Sequence, residues 1–344
     1  MSAAPSPLRL SLDGNALVAN WRWLAGRSGA AACGAAVKAD GYGLGACEVV
    51  ARLSAAGCGD FFVSTWAETA PLGSLPANAG LSVLHGAREE DMALARRSRA
   101  RPVLNTVEQV QRWRPTGLPC DVMIDTGMNR LGLPVSTVTD GLLDGLVIET
   151  LMSHFACADE NSPMNDSQLR AFTALTGQTT ARRMSIANSA GLLLNGAGLD
   201  LTRPGIMLYG GIARPEATGH IAQVVFPQAQ IVQRRHLSSG DTVGYGATFT
   251  ARRPTEIAIL NIGYADGYLR SFAASGSAGQ ARFPLVGRVS MDLIAIGVDA
   301  EPSLREGDWV EIDYDLPSAA AASGLSQYEL LTGLGDRFDR IWRS

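Results

Sequence analysis

Lys38 stands in the run AAVKADGYGLGA, where small and β-branched residues lead into a lysine and a glycine-rich bend follows at once. A lysine at the carboxyl end of a buried strand is costly to desolvate, and burial lowers its pKa. The neutral amine is the nucleophile that Schiff-base chemistry requires. A surface lysine at a strand end would show the same pattern, and this stretch alone does not separate the two. Ser189, in ANSAG, would place a hydroxyl beside a helix start, where an anion is favoured. Arg203 opens RPGIMLYGG, in which Gly205 and Ile206 would offer backbone N–H groups. A capping serine and a turn glycine would read alike. A reactive lysine with a phosphate cradle suggests pyridoxal phosphate, which carries an aldehyde and a phosphate on one ring.

Other residues carry weaker signals. In DTGMNRLG, Asp125 ends a strand and Arg130 follows in the loop, where a guanidinium binds a carboxylate with two hydrogen bonds. The alternative is a capping aspartate with a solvated ion pair. His154, in LMSHFA, reads locally as a hydrogen-bonded core histidine, and His85, in VLHG, likewise. Tyr245 lies between glycines in VGYGATFTA, a setting that leaves the ring projecting but is common in plain turns.

These groups need a frame that brings strand ends together. Eight strand-like runs follow one another: ACGAAVKA, DFFVST, LSVLH, RPVLNT, CDVMIDT, ETLMSH, RMSIAN and LDLTRP. Helix-period segments such as ACEVVARLSAAG, EEDMALARR, TVEQVQRW and SQLRAFTAL lie between most of them, and Asp13 is placed to cap a helix with Leu17, Trp21 and Leu24 on one face. This alternation predicts an α/β fold, a parallel (β/α)8 TIM-type barrel whose reacting groups sit at the carboxyl ends of the strands. Lys38, Asn105, Asp125, His154, Ser189 and Arg203 occupy those ends. After residue 225 come AQIVQRRHL, EIAILNIGY, RFPLVG, VSMDLIAIGV and DWVEIDY, with turn signals SSGD and REGD. The expected division is a barrel domain over 1–225 and a mostly β domain over 226–344.

The chain has 344 residues, 46% hydrophobic and 18% charged, enough to bury sizeable cores. A net charge of -4 gives no electrostatic footprint for nucleic acid. No apolar stretch is long enough to span a membrane, and the start MSAAPSPLRLSLDG lacks the pattern of a secretory signal. The five cysteines, odd in number and without CxxC spacing, read as reduced thiols in a cytoplasmic protein, with no metal site.

Taken together, VKADGYGLG, DTGMNRLG, SHFACADE, ANSAG, RPGIMLYG, VGYGATFTA, IGYADGY and GRVSMD resemble the alanine racemases, fold-type III pyridoxal-phosphate enzymes, in the family's own order. The resemblance implies a (β/α)8 barrel followed by a β domain, acting as a head-to-tail homodimer with shared active sites. It implies that Lys38 carries pyridoxal 5′-phosphate and serves as the base on the D face, with Tyr245 of the partner subunit as the base on the L face. Tyr42, Ser189, Gly205 and Ile206 would hold the phosphate, and Arg203 would face the pyridine nitrogen. His154 would link the tyrosine to that arginine. Arg130 would orient the substrate carboxylate, with Met291 of the partner subunit adding a backbone contact. Tyr264 and Asp292, also from the partner subunit, would line the access passage. The implied reaction interconverts L- and D-alanine, supplying D-alanine for peptidoglycan; a broader amino-acid racemase, acting for instance on serine, is the alternative.

Two positions depart from the family pattern. Many relatives carry a carbamylated lysine, bonded to the loop arginine, where this chain has Met123. Alternation puts Asp121, Met123 and Asp125 on one face of their strand, so the charge facing Arg130 would come from a bound anion such as chloride or from Asp125. Many relatives also end in a tyrosine near ISYRVPR, where LGDRFDR here places Asp336. A fold-type III decarboxylase would call for a reactive cysteine in the β domain, and none follows Cys157. A non-catalytic cofactor-binding module would lack the domain that carries Tyr245.

Overall fold

The computed structural model describes residues 5–73 and 75–344. They form two compact units, one spanning Leu17–Ala222 and one joining the N-terminal segment through Ala16 to Gln223–Ser344.

The first strand, β1 (Leu8–Asp13), belongs to the second unit. Sequence reading includes these residues in the 1–225 segment. The alternation LRLSLD instead buries Leu8, Leu10 and Leu12 where β1 pairs with a strand from the far end of the chain. Asp13 then caps the helix Gly14–Arg27, its Oδ1 accepting from the Ala16 amide at 2.9 Å, and Leu17, Trp21 and Leu24 are buried along it.

In the first unit, β2 (Ala32–Cys33) and β3 (Ala35–Ala36) are two halves of the run that leads to Lys38. They are followed by β4 (Asp60–Val63), β5 (Gly80–Val83), β6 (Arg101–Leu104), β7 (Pro119–Asp125), β8 (Leu133–Pro134), β9 (Val147–Met152), β10 (Arg183–Ser185) and β11 (Leu201–Thr202). The sheet runs β3-β4-β5-β6-β7-β9-β10, all parallel, with β8 beside β7. The last strand closes the ring. β11 pairs in parallel with β2, and backbone bonds from Asp200 to Met184 (3.1 Å) and from Arg203 to Ala187 (2.8 Å) join it to β10. The eight runs read from the sequence thus become one parallel barrel.

The interior at the amino ends of the strands is polar but paired. Arg183 donates to both Asp60 oxygens (2.8 and 3.0 Å), Ser82 Oγ donates to Asp121 Oδ2 (2.6 Å), and Arg101 Nε reaches the same oxygen at 3.4 Å. Burial is tolerable for these charges only because each has an opposite charge and a hydrogen bond. Three of the expected helices are present, as Ala46–Ala56, Val107–Trp113 and Pro163–Thr173. EEDMALARR shrinks to Met92–Ala95, where only Ala95 is buried and little apolar surface rewards a longer helix.

The second unit is mostly antiparallel. Its sheet is built from β12 (Val225–Leu237), β15 (Thr255–Leu260), β16 (Ser277–Ala278), β17 (Phe283–Val286), β18 (Ile294–Gly297), β19 (Trp309–Glu311) and β20 (Asp339–Arg343), around β1. The small hairpin β13 (Thr242–Val243) with β14 (Phe249–Thr250) carries Tyr245 in its loop. Leu237, Ala251, Ile257, Val286 and Ala295 form an apolar core beneath that hairpin.

Candidate active site

Lys38 directly follows the buried Val37 at the end of β3, and the chain then makes a left-handed turn. Ala39, Asp40, Gly41 and Tyr42 have φ of 52°, 53°, 63° and 57°. Such a conformation costs about 1–2 kcal/mol for each residue with a Cβ. Specific bonds hold it: the Ala39 amide donates to Glu68 Oε1 (2.6 Å), and Asp40 Oδ1 accepts from the Ala46 amide (2.8 Å). Burial, with the Arg130 cation adding to it, lowers the Lys38 pKa, while Glu68 opposes the shift. More of the amine is therefore neutral near pH 7 than in a free lysine.

The loops after β10 and β11 meet at Ser189. Its Oγ accepts from the amides of Gly205 (2.8 Å) and Met207 (3.4 Å). The Tyr42 ring stacks on Tyr209 with centroids 4.7 Å apart, and Tyr209 Oη donates to the Ala36 carbonyl (2.8 Å). A Cβ on Gly205 would lie 2.1 Å from Tyr42 Oη, so glycine is required for the tyrosine hydroxyl to lie against this backbone. Tyr42, Ser189, Gly205 and Ile206 therefore sit together, on loops that follow three successive strands of the ring, at the end of the barrel that bears Lys38.

Arg203 is buried at the end of β11. It donates through Nη1 to Ser185 Oγ and through Nη2 to the Ser153 carbonyl (2.6 Å). Desolvation pushes its pKa down to about 10, against the pull of Asp121, so it stays cationic at neutral pH. His154 follows Ser153. Its pKa is lowered to about 3, first by burial and then by Arg203, Arg130 and Lys38, so the ring is neutral. Arg203, Arg130 and Lys38 thus all act on the His154 ring, and Arg130 also acts on Lys38.

Arg130 is exposed. Among the described residues Asp125 makes no ion pair with it; Asp125 Oδ1 accepts from the Gly127 (2.8 Å) and Asn129 (3.1 Å) amides and shapes the loop. Met123 is buried. Asn105 spends its amide on the Leu84 and Val103 carbonyls, a bracing role. His85 is an exposed loop residue.

Sequence reading missed three side chains. Glu68 joins the Lys38 turn to the loop after β4; Thr65 and Glu68 form a capping box, and that T-x-x-E spacing was the available signal. Gln168, buried on the helix Pro163–Thr173, donates to the His154 carbonyl (3.0 Å) and accepts from the Ala156 amide (2.9 Å). In the second unit, Arg337 clamps the fully buried Asp266 (2.7 and 2.8 Å) and also donates to Asp292 (2.7 Å).

The second unit presents the remaining predicted residues. Tyr245 is 66% exposed, in a turn between Gly244 and Gly246. Tyr264 and Met291 are neighbours, since the Tyr264 amide donates to the Ser290 carbonyl (3.1 Å) and the Ala265 amide to the Met291 carbonyl (3.0 Å). Asp292 lies beside them on Arg337, and Asp336 is exposed.

A family model for the N-terminal domain of alanine racemase matches residues 12–213, and one for its C-terminal domain matches residues 224–342. The chain belongs to the alanine racemase family. It is 39% identical to the alanine racemase of Acidiphilium cryptum, covering 97% of this chain and 98% of that one. With the alanine racemase of Cereibacter sphaeroides it shares 41% identity, covering 96% and 97% of the two chains. Among solved structures it is similar to an alanine racemase from Bartonella henselae with covalently bound pyridoxal phosphate, with a TM-score of 0.89, 32% identity and 98% and 100% coverage. The biosynthetic alanine racemase of Pseudomonas aeruginosa gives a TM-score of 0.86 at 34% identity, covering 98% of this chain and 100% of that one. The relatives named here are alanine racemases, and none supports the broader-specificity alternative. As an alanine racemase family member, the chain has the family's two halves, and the second match begins one residue after Gln223, the start of the second unit's main segment. Among the described residues no helix is long and apolar enough to cross a membrane, and no cluster of His, Cys, Asp and Glu could hold a metal ion.

Proposed function

We propose that the protein interconverts L- and D-alanine with pyridoxal 5′-phosphate held on Lys38. The observation that carries this reading is the meeting of an amine of lowered pKa with the Tyr42, Ser189 and Gly205 cluster in one barrel mouth. The cluster suits a phosphate in chemistry and in space: hydroxyls and backbone amides converge, and glycine leaves the backbone open. When bound, the cofactor supplies a conjugated system that delocalises the charge left as the Cα proton departs.

The chain's own residues supply the rest. Lys38 would hold the cofactor, and its amine would move the proton on the D face. Tyr245 of the partner subunit moves it on the L face, since inversion requires a donor and an acceptor on opposite sides. Arg203, always protonated, can only donate, so it would keep the cofactor's pyridine nitrogen unprotonated. His154, neutral, relays between Tyr245 of the partner subunit and Arg203. Arg130 orients the substrate carboxylate, and a bound anion such as chloride balances its charge where Met123 replaces an acidic group. A bromide soak with no anomalous peak beside Arg130 would remove that last element. Met291 of the partner subunit contributes a backbone contact; Tyr264 and Asp292 of the partner subunit line the access passage. The enzyme works as a cytoplasmic homodimer and supplies D-alanine for peptidoglycan.

Steady-state rates for L-alanine, D-alanine, L-serine and a panel of other amino acids test the reading. Alanine should dominate in both directions, and borohydride reduction should leave a pyridoxyl group on the Lys38 peptide. Absence of that adduct, with protein that stays colourless in the vitamer, would overturn the proposal.

A further inference from the structure

We propose that Glu68 is a positioning residue for Lys38, its carboxylate fastening the left-handed turn after the lysine to the loop that follows β4. The inference rests on the reading that Lys38 bears the cofactor.

One carboxylate here accepts from three backbone amides. Oε1 takes Ala39 at 2.6 Å, and Oε2 takes Ser64 at 2.6 Å and Thr65 at 2.7 Å, with Thr65 Oγ at 3.4 Å. Bonds this short to an ionised acceptor are the strong kind. They join two loops that rise from adjacent strands, β3 and β4. Ala39, the residue next to Lys38, is the first of five consecutive residues at positive φ, three of them with a Cβ, and strain of that sort persists only where the surroundings over-determine it. Asp40 pins the far side of the turn to the helix Ala46–Ala56. Lys38 stands immediately before these two anchored residues, so the backbone that carries its side chain is held on the turn side. The charge also counts. Arg130 and Glu68 both act electrostatically on the amine, and of the two Glu68 supplies the negative charge.

Full-length protein freed of cofactor is incubated with pyridoxal 5′-phosphate, trapped with borohydride over a range of pH, and mapped by peptide mass for wild type, Glu68→Gln and Glu68→Asp. Circular dichroism and thermal unfolding report folding. Glu68→Gln loses the charge and turns an amide toward one backbone donor. Its plateau rate of Lys38 modification should fall roughly tenfold or more, because misplacement of a reacting group is expensive. Its pH midpoint should move down, because a charge that favours the ammonium is gone. Glu68→Asp keeps the charge but is one methylene too short to span both loops; its plateau should fall while its midpoint stays near wild type. If Glu68→Gln does not fold, Glu68→Asp alone decides. Folded variants with wild-type plateau rates would overturn the positioning role, whatever their midpoints. Wild type without an adduct at Lys38 would instead sink the underlying reading of the lysine.

Discussion

Arg203 Nη2 donates to the carbonyl of Ser153 at 2.6 Å, which ties the buried cation at the end of β11 to the residue immediately before His154. The backbone on the amino side of the histidine is therefore held to a buried positive charge. Gln168 holds the His154 carbonyl on the other side. Burial first, and the nearby cations second, keep the ring neutral.

His154 should stay unprotonated throughout the working range of the enzyme. Its pKa is lowered to about 3, against roughly 6.5 for a free histidine. The stability linked to this depression is fully present above the unfolded pKa and is lost as pH falls toward the folded one. The His154 ring signals should be flat in NMR from about pH 8 down to about pH 5. A midpoint near 6 would contradict the placement.

Tyr245→Phe removes one oxygen from an exposed ring. Thermal unfolding should change by no more than about 0.5 kcal/mol, as for a surface substitution. Racemisation should fall by roughly 10²–10⁴ in both directions, the usual worth of a positioned acid–base group. Unchanged rates in both directions would revive a non-catalytic cofactor-binding module.

Gly205→Ala would press a methyl to within 2.1 Å of Tyr42 Oη. Overpacking of this kind costs about 1–3 kcal/mol. Denaturant unfolding of the cofactor-free protein should show that loss, and titration with pyridoxal 5′-phosphate should show weaker uptake. A variant as stable as wild type with the same affinity would mean that the loop yields freely.

Arg337→Met takes a bidentate cation from Asp266, whose side chain is fully buried. A stranded buried carboxylate costs up to about 3–5 kcal/mol; the half-exposed arginine puts the expectation nearer about 2 kcal/mol. Asp266→Asn in the same background should recover part of the loss, because it removes the stranded charge. A double-mutant cycle with no coupling would contradict the clamp.

Much of the barrel was legible because its signals are local. Each strand is a short apolar run bounded by turns, and in a parallel barrel the residue at the carboxyl end of such a run can only lie at one rim. Lys38, His154, Ser189 and Arg203 followed from that rule, and motif order made the family recognisable. The mostly β character of the second unit was equally local. The catalytic reading of Tyr245 was not, for its glycine setting is that of any turn, and only the family resemblance raised it.

Three-dimensional contacts decided the rest. β1 lies in the segment 1–225 assigned to the barrel domain but sits between β12 and β20, because strand pairing does not follow nearness along the chain. Glu68 shows a capping box in its own segment, yet its reach to Ala39, twenty-nine residues earlier, depends on two loops rising from neighbouring strands. Asp125, a candidate counter-charge for Arg130, turned out to spend an oxygen on its own loop. Residue order determines which groups arrive at the rim, since side-chain alternation is a property of the backbone. Which carboxylate holds which amide is settled only on folding, because a hydrogen bond depends on distances that sequence separation does not encode.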